Sequence, residues 1–155
     1  MQTWARFLLF SAGAGTLLTV AVYGASPVDG QAAFQRREDT MKRMGRPFYV
    51  GIGRVVKGTA AYGPDTVTAA ETVASLASTL DRTLFPAGSD VAESKIKPEI
   101  FFANDHVDQL IAAVKTATAQ LVPGVESGDK AAITAAYTAV NNACNGCHTE
   151  FRKEE

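Results

Sequence analysis

The sequence predicts an all-α chain, an antiparallel (up-down-up-down) four-helix bundle behind an apolar N-terminal segment. Three observations carry that expectation. No stretch keeps up the period-two alternation of a strand; four segments repeat their apolar residues at helical spacing; and Pro and Gly punctuate mostly short links between them. Hydrophobic residues make up 46% of the 155 positions, enough for a packed core and against global disorder. Many of them are alanine, which favours close-packed helices over a sheet of branched side chains.

The first element is the N-terminal segment. MQTWAR carries Arg6, and FLLFSAGAGTLLTVAVYG then runs without a charge from Phe7 to Gly24. A short positive start followed by an apolar run reads as a secretion signal, here residues 1–32, with cleavage expected after Ala32 or near Ala25. The run also lies near the lower limit for a membrane span, so the alternative is an uncleaved anchor through residues 7–24. Either way the domain expected over 33–155 is exported. Its expected location is the periplasm, soluble or anchored to the cytoplasmic membrane.

The first helix is expected from about Phe34 to Lys57, with Phe34, Met41, Phe48, Ile52 and Val55 on one stripe and a kink near Pro47. The second starts after Asp65, a good N-cap residue, and runs to about Leu80. A long connection, LFPAGSDVAESKIKP, leads to a third helix opening at Pro98. Its stripe of Ile100, Ala103, Val107, Leu110, Ile111, Val114, Ala117 and Leu121 ends where VPGVESGD breaks it. The fourth runs from about Lys130 towards the C-terminus with Ile133, Tyr137, Val140, Cys144, Cys147, His148 and Phe151 on one face.

Charge excludes several functions. Fifteen basic and 16 acidic residues leave a formal net charge of -1. That is not the basic footprint of a nucleic-acid binder, and no polybasic run is present to hold an anionic membrane surface. The carboxylates scatter without pairing, so no acid/base constellation and no enzymatic activity are expected.

The chemistry sits in NNACNGCHTEFRKEE, which holds both cysteines. Offsets of three and four residues on a helix project Cys144, Cys147 and His148 in one direction. Zinc needs four ligands, or three and a water, and the only other histidine is His106. A redox Cys-x-x-Cys belongs near a helix start in a βαβ setting, where the helix terminus lowers the thiol pKa. Two buried cysteines with no cofactor leave the adjacent histidine without a reason. Covalent haem uses all three groups: both thiols add across the vinyl groups, and the imidazole ligates iron. One haem c is therefore the expected cofactor, and export agrees with it, because c-type haem is attached outside the cytoplasm.

A haem motif in the last helix of a four-helix chain resembles class II cytochromes c, the cytochrome c′ superfamily. The resemblance covers roughly Phe34 to Lys153. It is strongest in CNGCHTEFR (144–152) and weaker in LFP (84–86), Pro98 to Phe101 and RREDTMKRMGR (36–46). It implies His148 as proximal iron ligand. It also places the distal residue four positions after a first-helix Arg and just before a Lys, which gives Arg37, then Met41-Lys42. Met41 is the expected sixth ligand, the pattern of the family's low-spin Met/His branch, whose thioether raises the potential. Met44, one turn on, is the rival, and packing alone is the bland fate of a buried Met.

Arg37, one turn from Met41, is expected either to reach a haem propionate or to be a solvated surface group. Phe151 is expected to pack the haem face or the core. The resemblance places Arg152 beside the proximal ligand, the alternative being an exposed cation at the helix C-terminus. Phe101 stands where the family often has Trp, and as another flat aromatic it is expected to cover the haem edge. His106 is expected to be exposed. The leading expectation is electron transfer between redox partner proteins. The alternatives are a five-coordinate, high-spin cytochrome c′ that binds small gases and, from another class, a haem-free thiol-disulfide protein. Antiparallel homodimers are common in the family, although no decisive apolar patch marks one here.

Overall fold

The computed structural model describes residues 29–154. Residues 1–28, which hold all but the last four residues of the expected 1–32 signal and the whole 7–24 anchor, lie outside the described residues. The elements are α1 (Gly30–Arg46), a π-helical segment (Pro47–Ile52), α2 (Gly53–Val56), α3 (Pro64–Ser78), α4 (Asn104–Glu126) and α5 (Lys130–Phe151). Short 3-10 turns stand at Arg82–Leu84 and Pro98–Phe101. The bundle consists of α1 with its continuation, α3, α4 and α5, as expected, and none of its described helices is long and apolar enough to cross a membrane.

Several boundaries differ from the sequence expectation, each for a local reason. The folded domain begins ahead of residue 33: Asp29 caps α1, its carboxylate accepting from the Ala32 N–H at 3.0 Å. The kink expected at Pro47 takes the form of a π segment. Proline has no N–H to give to the preceding turn, and the widened turn closes where the Gly53 N–H reaches Phe48 O, five residues back. In α3 the cap is Gly63 rather than Asp65, because Pro64 fits the first helical position and Thr66 Oγ1 accepts from the Gly63 N–H. Asp65 instead favours the positive end of the helix dipole.

The third bundle helix starts later and ends later than expected. Pro98–Phe101 forms one tight turn that buries Ile100, and the α-helix opens only at Asn104. Pro123 does not stop it: Leu121 and Val125, both fully buried, carry the helix to Glu126. It stops at Gly128, whose φ of +67° is a left-handed conformation that suits glycine. Asp129 then caps α5, accepting from the Ala132 N–H at 2.8 Å.

The main core gathers Phe48, Ile52, Ala70, Val73, Leu121, Val125, Ile133 and Val140. Phe48 stacks on Tyr137, ring centroids 4.4 Å apart. A second cluster of Ile96, Ile100, Val107 and Phe151 lies at the end where α5 finishes. The 82–101 connection is tied to that end: Lys97 N–H donates to Phe151 O at 2.8 Å and Lys153 N–H to Lys95 O at 2.7 Å.

Leu121 is 0% exposed at the meeting of α3, α4 and α5. Leu121→Ala is expected to cost about 2–5 kcal/mol in a denaturant titration, whereas Phe102→Ala, at a side chain 83% exposed, should leave the midpoint nearly unchanged.

Candidate haem site

Helix α5 presents Cys144, Cys147, His148 and Phe151 from successive turns. The two thiols are unlinked and, with His148, half-buried. Cys144 packs against the main core and Cys147 against the second cluster, so the motif sits at the seam between them.

Two cavities open beside this turn. The inner one, about 110 Å³, is lined by Cys144, Cys147, His148, Met41, Met44, Phe48, Tyr49, Leu110 and Val140 among others. The outer one, about 490 Å³, runs on past Cys147, His148, Met41, Phe85, Ile100, Phe151 and Arg152. Met41, Tyr49, Phe85, Cys147 and His148 border both. A wider groove of about 910 Å³ between α1 and α3 holds Lys42, Arg46 and Glu71 but no residue of the motif. It is an open surface feature, and the chemistry belongs to the two smaller cavities.

The electrostatics of the site suit a metal-bound prosthetic group better than a redox disulfide. Burial raises the Cys144 thiol pKa, and burial, with Glu150 and Cys144 adding to it, pushes Cys147 up to about 11. Thiol-disulfide exchange needs the opposite shift, towards thiolate. Burial, helped by the Arg152 cation, lowers the His148 pKa and so keeps the imidazole neutral, the form that ligates a metal. The inner cavity is walled by apolar groups. The outer one carries Arg37, Lys42, Lys95 and Arg152, with Glu38 and Glu93. Two thiols and a neutral imidazole on one face, an apolar recess and a cation-rich mouth fit a haem with anionic propionates.

Most of the residues expected at the site gather here, and two stand differently. Met41 and Met44 both border the inner cavity, but only Met41 also reaches the outer one. Phe151 is buried at the cavity wall, and Arg152 lines it. Arg37 lines the outer cavity, but its terminal N–H groups are engaged within the protein. It is only 7% exposed, and those groups donate to Leu84 O, Ser89 Oγ, Ser89 O and Ser94 Oγ at 2.8–2.9 Å. Phe101 packs against the Ile96–Phe151 cluster and borders neither cavity. His106 is exposed as expected and meets Glu150 at 2.7 Å.

Sequence reasoning missed Tyr49 and Phe85 as walls of both cavities. LFP marked Phe85 as a family match without a role. Tyr49 gave no periodic signal, because the π segment turns it onto this face.

The family model described as Cytochrome C' matches residues 32–152. Cytochrome c′ of Rhodospirillum rubrum is 28% identical over 152 residues, covering 96% of this chain and 99% of that protein. Cytochrome c′ of Rhodocyclus tenuis is 28% identical over 95 residues, 59% of this chain and 71% of the other. Among solved structures, cytochrome c′ of Thermochromatium tepidum superposes with a TM-score of 0.74 at 24% identity, covering 82% of this chain and 98% of that one. A ferrous variant of cytochrome c′ from Alcaligenes xylosoxidans with bound nitric oxide gives 0.72 at 23% identity, covering 83% and 98%. The match extends over the four helices and the cysteine-histidine turn alike, and the chain belongs to the cytochrome c′ family, whose members bind haem c covalently.

Proposed function

We propose that this protein is an exported mono-haem cytochrome c′ that binds small gases such as nitric oxide and carbon monoxide. Haem, when bound, supplies an iron that takes diatomic ligands and exchanges one electron. Cys144 and Cys147 would hold the group by thioethers and His148 would ligate its iron. The observation that carries the reading is that His148 on α5 and Met41 on α1 border the same two cavities. The apolar lining of the inner cavity keeps water and charge away from its end of that space. Relatives support the gas-binding side: one similar structure holds nitric oxide, and a variant of the same Alcaligenes xylosoxidans protein holds carbon monoxide.

In this reading Met41 is an apolar cap over the open side. Its unbranched side chain can swing aside more readily than a β-branched one. A second reading rests on the same residue: Met41 as sixth ligand, a closed site, and electron transfer between redox proteins. Its position in both cavities favours that reading over one with Met44 as ligand. A similar cytochrome c′ is described as showing ligand-controlled dimer dissociation, and a homodimer is proposed for this chain on that ground.

Export through residues 1–28 is part of the proposal. Because Asp29 caps α1, cleavage near Ala25 fits the fold and cleavage after Ala32 would remove the cap. The mass of the exported protein should therefore place its first residue ahead of Asp29. A start at Ala33 would contradict that assignment, and an intact Met1 would mean an uncleaved anchor.

Visible spectra of the reduced protein separate the two readings of Met41. The gas-binding reading expects a broad high-spin Soret band and ready carbon monoxide binding, with Met41→Ala remaining high-spin. Sharp low-spin bands that Met41→Ala converts to high-spin, while Met44→Ala does not, would replace it with Met41 ligation and electron transfer.

A further inference from the structure

Residues 82–97 contain a single short turn of helix, yet they wall the haem cavity through Phe85, Ser94 and Ile96. Such a segment has little backbone structure of its own to hold it in place, so its position depends on what grips it. Two contacts with α1 do so. At Gly30 a methyl group would stand 2.1 Å from the Gly88 carbonyl oxygen, so only glycine admits this approach. About two turns further on, Arg37 is buried and donates to Leu84 O, Ser89 Oγ, Ser89 O and Ser94 Oγ. Those four bonds use every N–H of its two terminal nitrogens. Its guanidinium also lies 6.0 Å from the Phe34 ring centre and 5.9 Å from that of Phe85.

The far end of the segment is held differently. Lys97 N–H bonds to Phe151 O and Lys153 N–H to Lys95 O, contacts of the main chain that do not involve Arg37. Lys153 Nζ also donates to Ser94 O at 3.2 Å. At the near end Arg82 meets Asn104 and Asp108 of α4. The stretch between is thus held on α1 by the Gly30 approach and by Arg37.

We infer that Arg37 is a positioning residue that latches residues 84–94 onto α1 and thereby sets Phe85, the wall shared by both cavities. With the latch closed, Phe85 narrows the way in to His148; with it released, the 84–93 stretch swings out while 94–97 stays held by Lys153 and the end of α5. The latch stands on the geometry alone, and its effect on ligand entry rests on the gas-binding reading above.

Hydrogen exchange of the haem-loaded protein, run beside carbon monoxide association to its reduced form, tests both parts. In Arg37→Gln the amides of Phe85 and Ser89 should exchange about tenfold faster or more, the loss expected when several charge-assisted bonds go. Lys97 and the cores of α4 and α5 should be unchanged, and carbon monoxide should associate faster. Arg37→Lys keeps the charge and up to three donors, and should fall between. Unchanged exchange at the two amides, or an equal rise throughout α4 and α5, would overturn the latch. Faster local exchange with an unchanged association rate upholds the latch and overturns its control of entry. If carbon monoxide does not bind the wild type, the gas-binding reading falls and the exchange pattern alone decides the latch. Should Arg37→Gln fail to fold, the Ser89→Ala, Ser94→Ala double variant removes two acceptors. No local rise at Phe85 in that variant would overturn the proposal.

Discussion

Cys144, Cys147 and His148 share one turn of α5. A haem held there would need a flat space beside that turn, and the rest of this bundle is arranged around keeping one. α1 packs on α3, and α4 packs on both α3 and α5. Two contacts, one between α3 and the π segment that continues α1, the other between α4 and α5, leave no room for a side chain. A methyl group at Gly51 would stand 2.7 Å from Ala69 Cβ, and one at Gly124 the same distance from Ala136 Cβ. Close approach on those sides leaves the opening between α1 and α5, where Met41 and His148 border the same cavities. Interiors packed to ordinary density leave few voids larger than a water, so cavities on this scale are a feature to be explained.

The charges follow the same division. Groups at the inner end are kept neutral by burial: both thiols titrate high and the imidazole titrates low. Cations gather at the outer mouth. Arg37 is the exception, a buried cation whose partners are two serine hydroxyls and two carbonyls. Burial lowers its pKa and the Asp90 charge opposes that shift. Hydrogen bonds to neutral oxygens compensate the lost hydration while leaving the net charge in place near the cavity.

Helical periodicity made much of this legible in the sequence. The spacing of Cys144, Cys147 and His148 needs only the 3.6-residue turn to imply one shared face, and the stripes of α4 and α5 gave the core. What stayed hidden depended on contacts between distant segments. Arg37 read as a surface or propionate group because nothing local says that Ser89 and Ser94, more than 50 residues on, supply its acceptors. Phe101 was expected at the cavity, but the tight turn at Pro98 directs Ile100 there and leaves Phe101 on the second cluster. Pro123 read as a helix end because propensity outweighs packing on paper; buried Leu121 and Val125 reverse that balance in the fold. Tyr49 reached the site only through the π segment, which shifts the register of every residue after Pro47.

The central claim is that this one turn of α5 carries the cofactor through both thiols. Trypsin should release Ala131–Arg152 as a single fragment containing Cys144, Cys147 and His148. Mass spectrometry of that fragment from the exported protein is expected to show one added haem and no alkylatable thiol. A fragment of unmodified mass with two free thiols, or one lighter by a disulfide, would contradict the account.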